Sequence, residues 1–300
     1  MFPKNHLVTN SKSVLFGTIN MKKIQSIEIT SSVARLCQEA NFDLGEDVTL
    51  ALQKAITLEN SPIAIDVLNQ IIENARIARE DRVPMCQDCG VAVLFIELGQ
   101  DVHVVGGDIN EAINEGVRIG YGEGYLRKSM VASPLRRVNT GDNTPPVVYF
   151  KIVPGDKIRI IFAPKGAGSE NMSAIKMLTP SDGISGIKKF VIECVEKAGP
   201  NPCPPIIVGV GIGGTFEKSA IMAKEALLRP IGQFSKDEDV ASLERELLHD
   251  VNLLGIGPSG FGGTTTALAV NIETYPCHIG SLPVAVNINC HAARHKESMI

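Results

Sequence analysis

Val83-Pro84-Met85-Cys86-Gln87-Asp88-Cys89-Gly90 places a thiol, an amide, a carboxylate and a second thiol at four consecutive positions. Apolar residues spaced three or four apart predict a helix before this stretch, from about residue 61 to residue 82. The β-type run at 91–98 predicts a buried strand after it. Pro84 and Gly90 therefore hold a short loop between a helix and a strand, a common setting for reactive side chains.

Outward from this loop, helical and strand patterns are mixed along the chain. Helices are predicted at 24–40, 48–55, 61–82, from Asp108 to about 119, and at 183–197, 215–229 and 237–254. Strands are predicted at 91–98, 147–153, 157–162, 206–212, 264–272 and 282–289, the second and third as a hairpin through Pro154-Gly-Asp156. The expected fold class is therefore mixed α/β, a single domain with sheets flanked by helices.

The composition narrows the class of protein. The chain is 44% hydrophobic and 21% charged with a formal net charge of −4, which is ordinary for a soluble globular protein and gives no electrostatic basis for binding nucleic acid. No apolar run reaches the ~18–20 residues that a bilayer requires. Residues 1–20 contain too short an apolar patch for a signal peptide. We expect a disordered leader at 1–20, a catalytic domain at 21–300 and a cytoplasmic protein.

Cys86 and Cys89 form a C-x-x-C pair, which allows three interpretations. A thioredoxin-type redox pair would follow a strand and open a helix, whereas here the predicted order is helix then strand. A zinc knuckle needs a second cysteine or histidine pair at similar spacing, and the sequence has none. The third interpretation uses Cys86 alone and makes Cys89 an incidental buried thiol.

Two later cysteines lie in equally constrained segments. Cys203 stands among the prolines of Asn201-Pro-Cys-Pro-Pro205, and Cys290 ends a predicted strand in Asn287-Ile-Asn-Cys-His291. Cys277 competes with Cys290, because it too adjoins a histidine. The chain has seven cysteines, and this odd number argues against a disulfide framework. Our hypothesis is that Cys86, Cys203 and Cys290 converge on one iron–sulfur cluster, with Cys37 and Cys194 as core residues on helices.

A 4Fe-4S cluster normally takes four thiolates, so three would leave one iron open as a Lewis acid for oxygen ligands. An anionic substrate would then need cations in the surrounding loops. The sequence offers Arg127, Lys165, His278 and Arg294, although each alone is more often a solvated surface charge.

Several segments together resemble the class I, iron–sulfur, fumarate hydratases, in the α subunit of the two-subunit form. The resemblance extends from about residue 21 to the C-terminus, and the related L-tartrate dehydratase α subunit shares its framework. Its motifs are Pro-Met-Cys-Gln-Asp at 84–88, Leu-Arg-Lys-Ser at 126–129, Arg-Val-Asn-Thr-Gly-Asp-Asn-Thr-Pro at 137–145, Lys-Gly-Ala-Gly-Ser-Glu-Asn at 165–171, Cys-Pro-Pro at 203–205, and His-Ile-Gly-Ser-Leu-Pro at 278–283.

The resemblance implies a role for each matching position. Cys86, Cys203 and Cys290 would hold the 4Fe-4S cluster, which favours Cys290 over Cys277. Five positions match ones that contact the bound dicarboxylate: Gln87, Asp88, Arg127, Gly168 and His278. Lys165, in the 165–171 motif, is a further candidate for binding substrate. Asp88 would support the catalytic base and His278 would orient substrate or carry a proton. The family loop usually has threonine where this chain has Cys89.

The implied reaction is the reversible hydration of fumarate to S-malate. The resemblance also implies a separate β subunit, which would complete the dicarboxylate site in a hetero-oligomer of αβ pairs. Two alternatives stay open from the sequence. One is L-tartrate dehydratase on the same scaffold, and the other is a non-catalytic iron–sulfur or zinc protein that senses redox state or binds a partner.

Overall fold

The computed structural model describes residues 21–300, so the predicted leader at 1–20 lies outside the described residues. Across that range the chain forms eight α-helices, each with at least one buried residue. They are α1 (Ser26–Phe42), α2 (Glu46–Leu58), α3 (Pro62–Asp81), α4 (Ile109–Glu123), α5 (Ala167–Glu170), α6 (Gly183–Ala198), α7 (Phe216–Ala226) and α8 (Glu238–Asn252). None of the helices in residues 21–300 combines the length and hydrophobicity that a membrane crossing requires.

Ten strands in the same range form three sheets. They are β1 (Lys22–Gln25), β2 (Val91–Gly99), β3 (Val102–Val105), β4 (Val147–Val153), β5 (Ile158–Lys165), β6 (Ala174–Leu178), β7 (Ile206–Gly213), β8 (Ala267–Tyr275), β9 (Leu282–Asn289) and β10 (Lys296–Met299). Sheet I pairs β1 with β3, sheet II has the order β10-β5-β2-β4, and sheet III has the order β6-β9-β7-β8. The predicted class, α/β with sheets flanked by helices, is confirmed.

The helix boundaries follow from local chemistry. The Ser61 hydroxyl accepts the Ala64 N–H at the start of α3, with Pro62 in the first turn, as predicted. The Asp108 carboxylate accepts two backbone N–H groups at the start of α4. Thr215 stands at the predicted cap of α7, but its hydroxyl bonds to the Glu217 carboxylate instead of the backbone.

The predicted hairpin of 147–153 and 157–162 is wrong in its pairing. Both strands exist as β4 and β5, but β2 lies between them, parallel to β4 and antiparallel to β5. The turn that joins them instead closes the end of β2, where the Gly99 N–H donates to the Lys157 carbonyl at 2.9 Å. β2 is the more apolar strand, with five consecutive buried residues, so the central position of sheet II goes to it.

Each of the two larger sheets has its own buried core beneath covering helices. α1 and α4 cover sheet II, and α6 and α8 cover one face of sheet III. α7 packs so tightly on β7 that a Cβ at Gly209 would lie 2.0 Å from the Ala223 carbonyl oxygen. Beside it, Ile221 and Leu228 pack against the buried Phe95 of sheet II. This arrangement makes one domain and brings the loops at one end of each sheet together.

Candidate active site

The loop from Arg82 to Gly90 is held to the helices behind it. The Met85 N–H donates to the Asn41 carbonyl at 3.0 Å, and the Asn74 amide donates to the Met85 carbonyl at 2.8 Å. Gly90 has a φ of +74°, and a Cβ there would lie 2.7 Å from the Lys165 backbone nitrogen. Only glycine fits such a left-handed position against neighbouring backbone. The reactive loop is therefore fixed at both ends.

Asp88 ties this loop to the segment after β5. One carboxylate oxygen accepts the Gly90 N–H at 3.0 Å, and the other accepts the Ala167 N–H at 2.8 Å. The Ser129 hydroxyl lies 3.4 Å from the first oxygen. Both oxygens are thus engaged by this chain, so Asp88 positions the loops around it.

Cys203 and Cys290 meet at one end of sheet III. β7 and β9 are antiparallel neighbours with Ile207 opposite Asn289, so the segment that carries Cys203 into β7 and Cys290 directly after β9 leave the sheet side by side. The Cys203 carbonyl accepts the His291 N–H at 3.2 Å. Cys203 has a φ of +54°, and Pro204 and Pro205 beyond it are buried. The backbone thus presents an exposed thiol in a rigid turn.

The three predicted cysteines influence one another electrostatically. Burial raises the pKa of the Cys203 thiol, and the negative charges of Cys290 and Cys86 raise it further. Burial likewise raises the pKa of Cys290, with the charge of Arg294 acting in the opposite direction. Cys86 and Cys290 also pack on the same buried group. Through the Cys203–His291 hydrogen bond and this shared group, one chain places the segments that carry Cys86, Cys203 and Cys290 side by side.

The remaining cysteines lie elsewhere. Cys37 and Cys194 are buried on helices, as predicted. Cys89 is 1% exposed and its sulfur accepts the Arg127 N–H at 3.2 Å, so it fits the interpretation of an incidental buried thiol. Cys277 lies beyond the opposite end of sheet III from Cys290, since β9 runs between them. Geometry therefore favours Cys290 over Cys277.

Within residues 21–300, no group of three or more His, Cys, Asp or Glu side chains is arranged to hold a single metal ion. A cubane binds each cysteine through a different iron, so its thiolates lie farther apart than the ligands of one ion. Three convergent thiols with an exposed member fit the donor set of such a cluster.

The predicted substrate-binding residues surround these thiols on the open side. Gln87 and Arg127 are exposed, and the Cys86 sulfur lies 3.4 Å from the Gln87 side-chain oxygen. Gly168 is exposed as well, and a Cβ there would lie 3.4 Å from the Asn201 carbonyl oxygen, two residues before Cys203. The loop clusters at 86–88, 127 and 166–170 therefore face the same region as the cysteines.

Lys165 differs from the other predicted cations because it is only 6% exposed. Its ammonium donates to the Ser169 hydroxyl at 2.8 Å and the Ile288 carbonyl at 2.7 Å, and it lies 3.3 Å from the Glu170 carboxylate. An ammonium has three N–H groups, and all three have partners here. Contact with substrate would require Lys165 to exchange one of them.

His278 is not brought to the cysteines within one chain. It lies in the exposed turn between β8 and β9, and Cys290 follows the other end of β9. The seven steps from Leu282 to Asn289 span roughly 23 Å at the usual rise of a strand. The His278 Nδ1 accepts the Gly280 N–H at 3.0 Å, so the ring is held by its own turn. The prediction that His278 acts beside its own cysteines does not fit this geometry.

A sequence model described as Fumarate hydratase (Fumerase) matches residues 30–299, which is nearly the whole described chain. The chain belongs to this family. A relative from Methanocaldococcus jannaschii, named "Putative L(+)-tartrate dehydratase subunit alpha", is 48% identical over 276 residues, covering 89% of this chain and 96% of the relative. The L(+)-tartrate dehydratase subunit alpha of Escherichia coli K12 is 31% identical over 277 residues, covering 91% of each chain. This member of the fumarate hydratase family is therefore a hydro-lyase.

Two polar residues of this hydro-lyase have a burial that sequence reasoning did not predict. Asn143 is fully buried, and its side chain bonds to the backbone of Ser129, Met130 and Gly90, joining two loops of the site. Arg294 is 4% exposed, although the sequence suggested a surface cation. The position of Asn143 in the 137–145 motif was a sequence feature that could have indicated its role. The burial of Arg294 could not be predicted, because no local sequence pattern distinguishes a buried arginine from an exposed one.

The hydro-lyase also holds a partly buried ion-pair group of Lys165, Glu170 and Lys224. The Lys224 ammonium lies 2.6 Å from one Glu170 oxygen and Lys165 lies near the other. Burial alone would raise the pKa of Glu170, but Lys165 and Lys224 outweigh it and hold the pKa at about 2. Burial lowers the pKa of Lys165 to about 8 despite the opposing effect of Glu170. The group anchors the segment that carries Gly168.

We expect Glu170→Gln to reduce the free energy of unfolding at pH 7 by about 1–3 kcal/mol. This is less than the ~3–5 kcal/mol of a fully buried pair, because 41% of the Glu170 side chain is exposed. The unfolded carboxyl titrates near 4.5, so the unfolded state binds more protons between about 4.5 and 2. Stability in the wild type should therefore fall as pH drops through that window, and the variant should lose this part of the fall.

Urea unfolding from pH 2 to 8 measures the effect. Glu193→Gln is the matched control, since its pair with Lys189 lies on the surface and should change stability by only a few tenths of a kcal/mol. Equal losses of unfolding free energy in the two variants would show that the group of Lys165, Glu170 and Lys224 stabilises the fold no more than a surface ion pair does.

Proposed function

We propose that the chain is the α subunit of an iron–sulfur hydro-lyase whose 4Fe-4S cluster is held by Cys86, Cys203 and Cys290. The observation that supports this proposal is the convergence of three loops that each carry a cysteine, one of them with its thiol exposed in a rigid turn. When bound, such a cluster supplies an open iron as a Lewis acid for hydroxyl and carboxylate oxygens. The preferred reaction is hydration of fumarate to S-malate.

The protein side chains bind and orient the dicarboxylate in this proposal. Arg127 forms two parallel hydrogen bonds with one carboxylate, and the Gln87 amide and the backbone near Gly168 take the remaining oxygens. Asp88 holds the 86–90 and 166–170 loops in register through its two backbone hydrogen bonds. Lys165 keeps the same loop in place from its buried position and binds substrate only indirectly.

L-tartrate is the second candidate substrate, because the two relatives named above carry that substrate in their names. Fumarate and tartrate differ at the carbons between the carboxylates, whereas the α-chain groups proposed here bind the carboxylates themselves. Initial rates on fumarate, S-malate and L-tartrate, measured anaerobically with the reconstituted αβ complex, decide between them. If none of the three compounds is converted, the proposal that the substrate is a dicarboxylate of this kind is wrong.

A β subunit completes the enzyme in this proposal. The relatives are named alpha subunits, and the cysteine loops are exposed on the side where Gln87, Arg127 and Gly168 lie. The assembly is then a hetero-oligomer of αβ pairs. The cytoplasm is the expected location, because an open cluster survives best in a reducing compartment.

At least two α chains belong to this assembly in the proposal, in which His278 of one copy serves the cysteines of another because β9 separates it from its own. We expect a Cys203→Ser chain and a His278→Asn chain to be each inactive when assembled alone with β. Mixed assemblies should recover activity, because one site in a mixed pair retains both wild-type residues. Rates of co-purified, differently tagged α chains measure this, and an inactive mixture beside active wild-type mixtures would contradict the shared site.

Arg127→Lys should lower kcat/KM by ~10-fold or more, or at least ~1.4 kcal/mol of transition-state stabilisation. Lysine keeps the charge and loses the planar pair of donors. Steady-state rates with the native substrate measure the loss. The neighbouring Lys128→Arg is the control and should leave kcat/KM within about twofold. Equal rates for Arg127→Lys and the wild type would place Arg127 outside the site.

A further inference from the structure

Arg294 carries a buried guanidinium with unused donors next to the cysteine loops. The residue is 4% exposed. Its Nη2 donates to the Asp88 backbone carbonyl at 2.6 Å, which fixes it to the loop of Cys86. Among residues 21–300, its Nε and Nη1 have no hydrogen-bond partner. A buried donor without a partner lowers the free energy of unfolding by about 1–3 kcal/mol, and by more when it is charged.

No carboxylate of the described chain bonds to this cation. The only nearby carboxylate on the same loop, Asp88, points both of its oxygens to backbone N–H groups. The other groups that its charge reaches are the thiols of Cys290 and Cys89, the His291 ring and the Tyr121 hydroxyl. A buried cation without a counter-charge strongly destabilises a folded protein. A negative charge placed beside Arg294 would remove this cost.

The cysteines supply that charge once they are deprotonated. A cluster with three thiolates carries net negative charge, and its sulfur atoms accept hydrogen bonds. Resting on the cluster proposed above, we propose that Arg294 is the internal counter-cation of the metal centre. Its Nη2 holds the Asp88 carbonyl, and its Nε and Nη1 donate to the sulfur atoms at the cysteine site. Arg294 is thus a positioning and charge-balancing residue that contacts the cluster from the protein side.

The planar guanidinium, with its donors in a fixed geometry, explains why an arginine occupies this position. One nitrogen fixes the group to the backbone and the two others stay directed in the same plane, which an ammonium cannot reproduce. A fixed positive charge beside the cluster favours its more reduced state and therefore raises its reduction potential. It also retains the cluster, because outer hydrogen bonds typically change metal affinity by ~10–100-fold.

Arg294→Met tests the proposal in the full-length α chain reconstituted anaerobically with iron and sulfide. We expect iron loss to a ferrous chelator to be ~10-fold faster or more than in the wild type. The midpoint potential, measured by redox titration with electron paramagnetic resonance, should move to a more negative value. Arg245→Met on the exposed face of α8 is the control and should change neither quantity.

Thermal unfolding with and without the cluster separates this role from a purely structural one. Without the cluster, Arg294→Met should be at least as stable as the wild type, because it removes an uncompensated buried charge. With the cluster, the variant should unfold at a lower temperature than the wild type. Equal destabilisation in both states, or an unchanged potential and rate of iron loss, would overturn the proposal.

Arg294→Lys is the second variant, should the methionine chain fail to fold. It keeps the charge but loses two directed donors, so its potential should stay closer to the wild type while iron loss accelerates. If Arg294→Lys loses iron at the wild-type rate, the directed donors of the guanidinium do not retain the cluster and this part of the proposal is wrong. A wild-type chain that takes up no cluster would instead refute the proposed function, so the two failures are distinguishable.

Discussion

Serine in place of Cys86, Cys203 or Cys290 should leave the reconstituted protein without its cluster. Wild-type chains should carry roughly four irons each, as a cubane requires, whereas each variant should retain at most a small fraction of that iron. The reason is that each thiolate binds a different iron, and serine oxygen is a poor replacement for a soft sulfur ligand. Iron and sulfide analysis after anaerobic gel filtration measures the loss.

Three other cysteines provide the controls for this expectation. Cys37→Ser and Cys194→Ser change buried helix residues and should keep the iron, at some loss of stability. Cys277→Ser is the sharper control, since Cys277 competed with Cys290 in the sequence but lies beyond the far end of β9. A Cys290→Ser chain with full iron beside a Cys277→Ser chain without it would show that the third ligand is wrongly assigned.

The elements of this fold that sequence patterns predicted are those with local causes. The cap and first-turn proline of α3 and the cap of α4 are set by residues within one turn of the helix start. The short strands β1, β3, β6 and β10 were not predicted, because they have four or five residues each and depend on a neighbouring strand.

The pairing of β4 with β5 failed for a related reason. Pro154-Gly-Asp156 is a good turn, and a good turn between two strands normally makes a hairpin. The turn forms, but β2 fills the gap between the two strands and pairs with both. Which strand occupies the middle of a sheet depends on residues more than 50 positions away, and a local pattern does not contain that information.

The residues of the candidate site also divide into those with a local sequence signal and those whose position depends on distant parts of the chain. Three cysteines among prolines or at strand ends could be selected from the sequence, because each has an unusual local setting. Lys165 and Arg294 could not be separated from surface cations, since their burial depends on strands and loops distant in the sequence. His278 was placed beside the cysteines, and only the direction of β9 shows that one chain keeps them apart.

The isolated α chain should bind its cluster and yet hydrate its substrate at least ~100-fold more slowly than the αβ complex. Gln87, Arg127, Gly168 and Cys203 are all exposed, so water would reach a cluster held there. In the described chain, Asp88 uses both oxygens to hold loops together, which leaves it poorly placed as a free base. A positioned general base or acid typically contributes ~100–10,000-fold, and we expect β to supply it and to exclude water.

Titration of purified β into cluster-loaded α measures this expectation directly. Activity should rise until the two chains are present in equal amounts and then stay constant, because each site needs one of each. Adding β to the Cys203→Ser chain should give no activity, which shows that the rise depends on the cysteine site of α. Full activity of the α chain before any β is added would refute a site divided between two subunits.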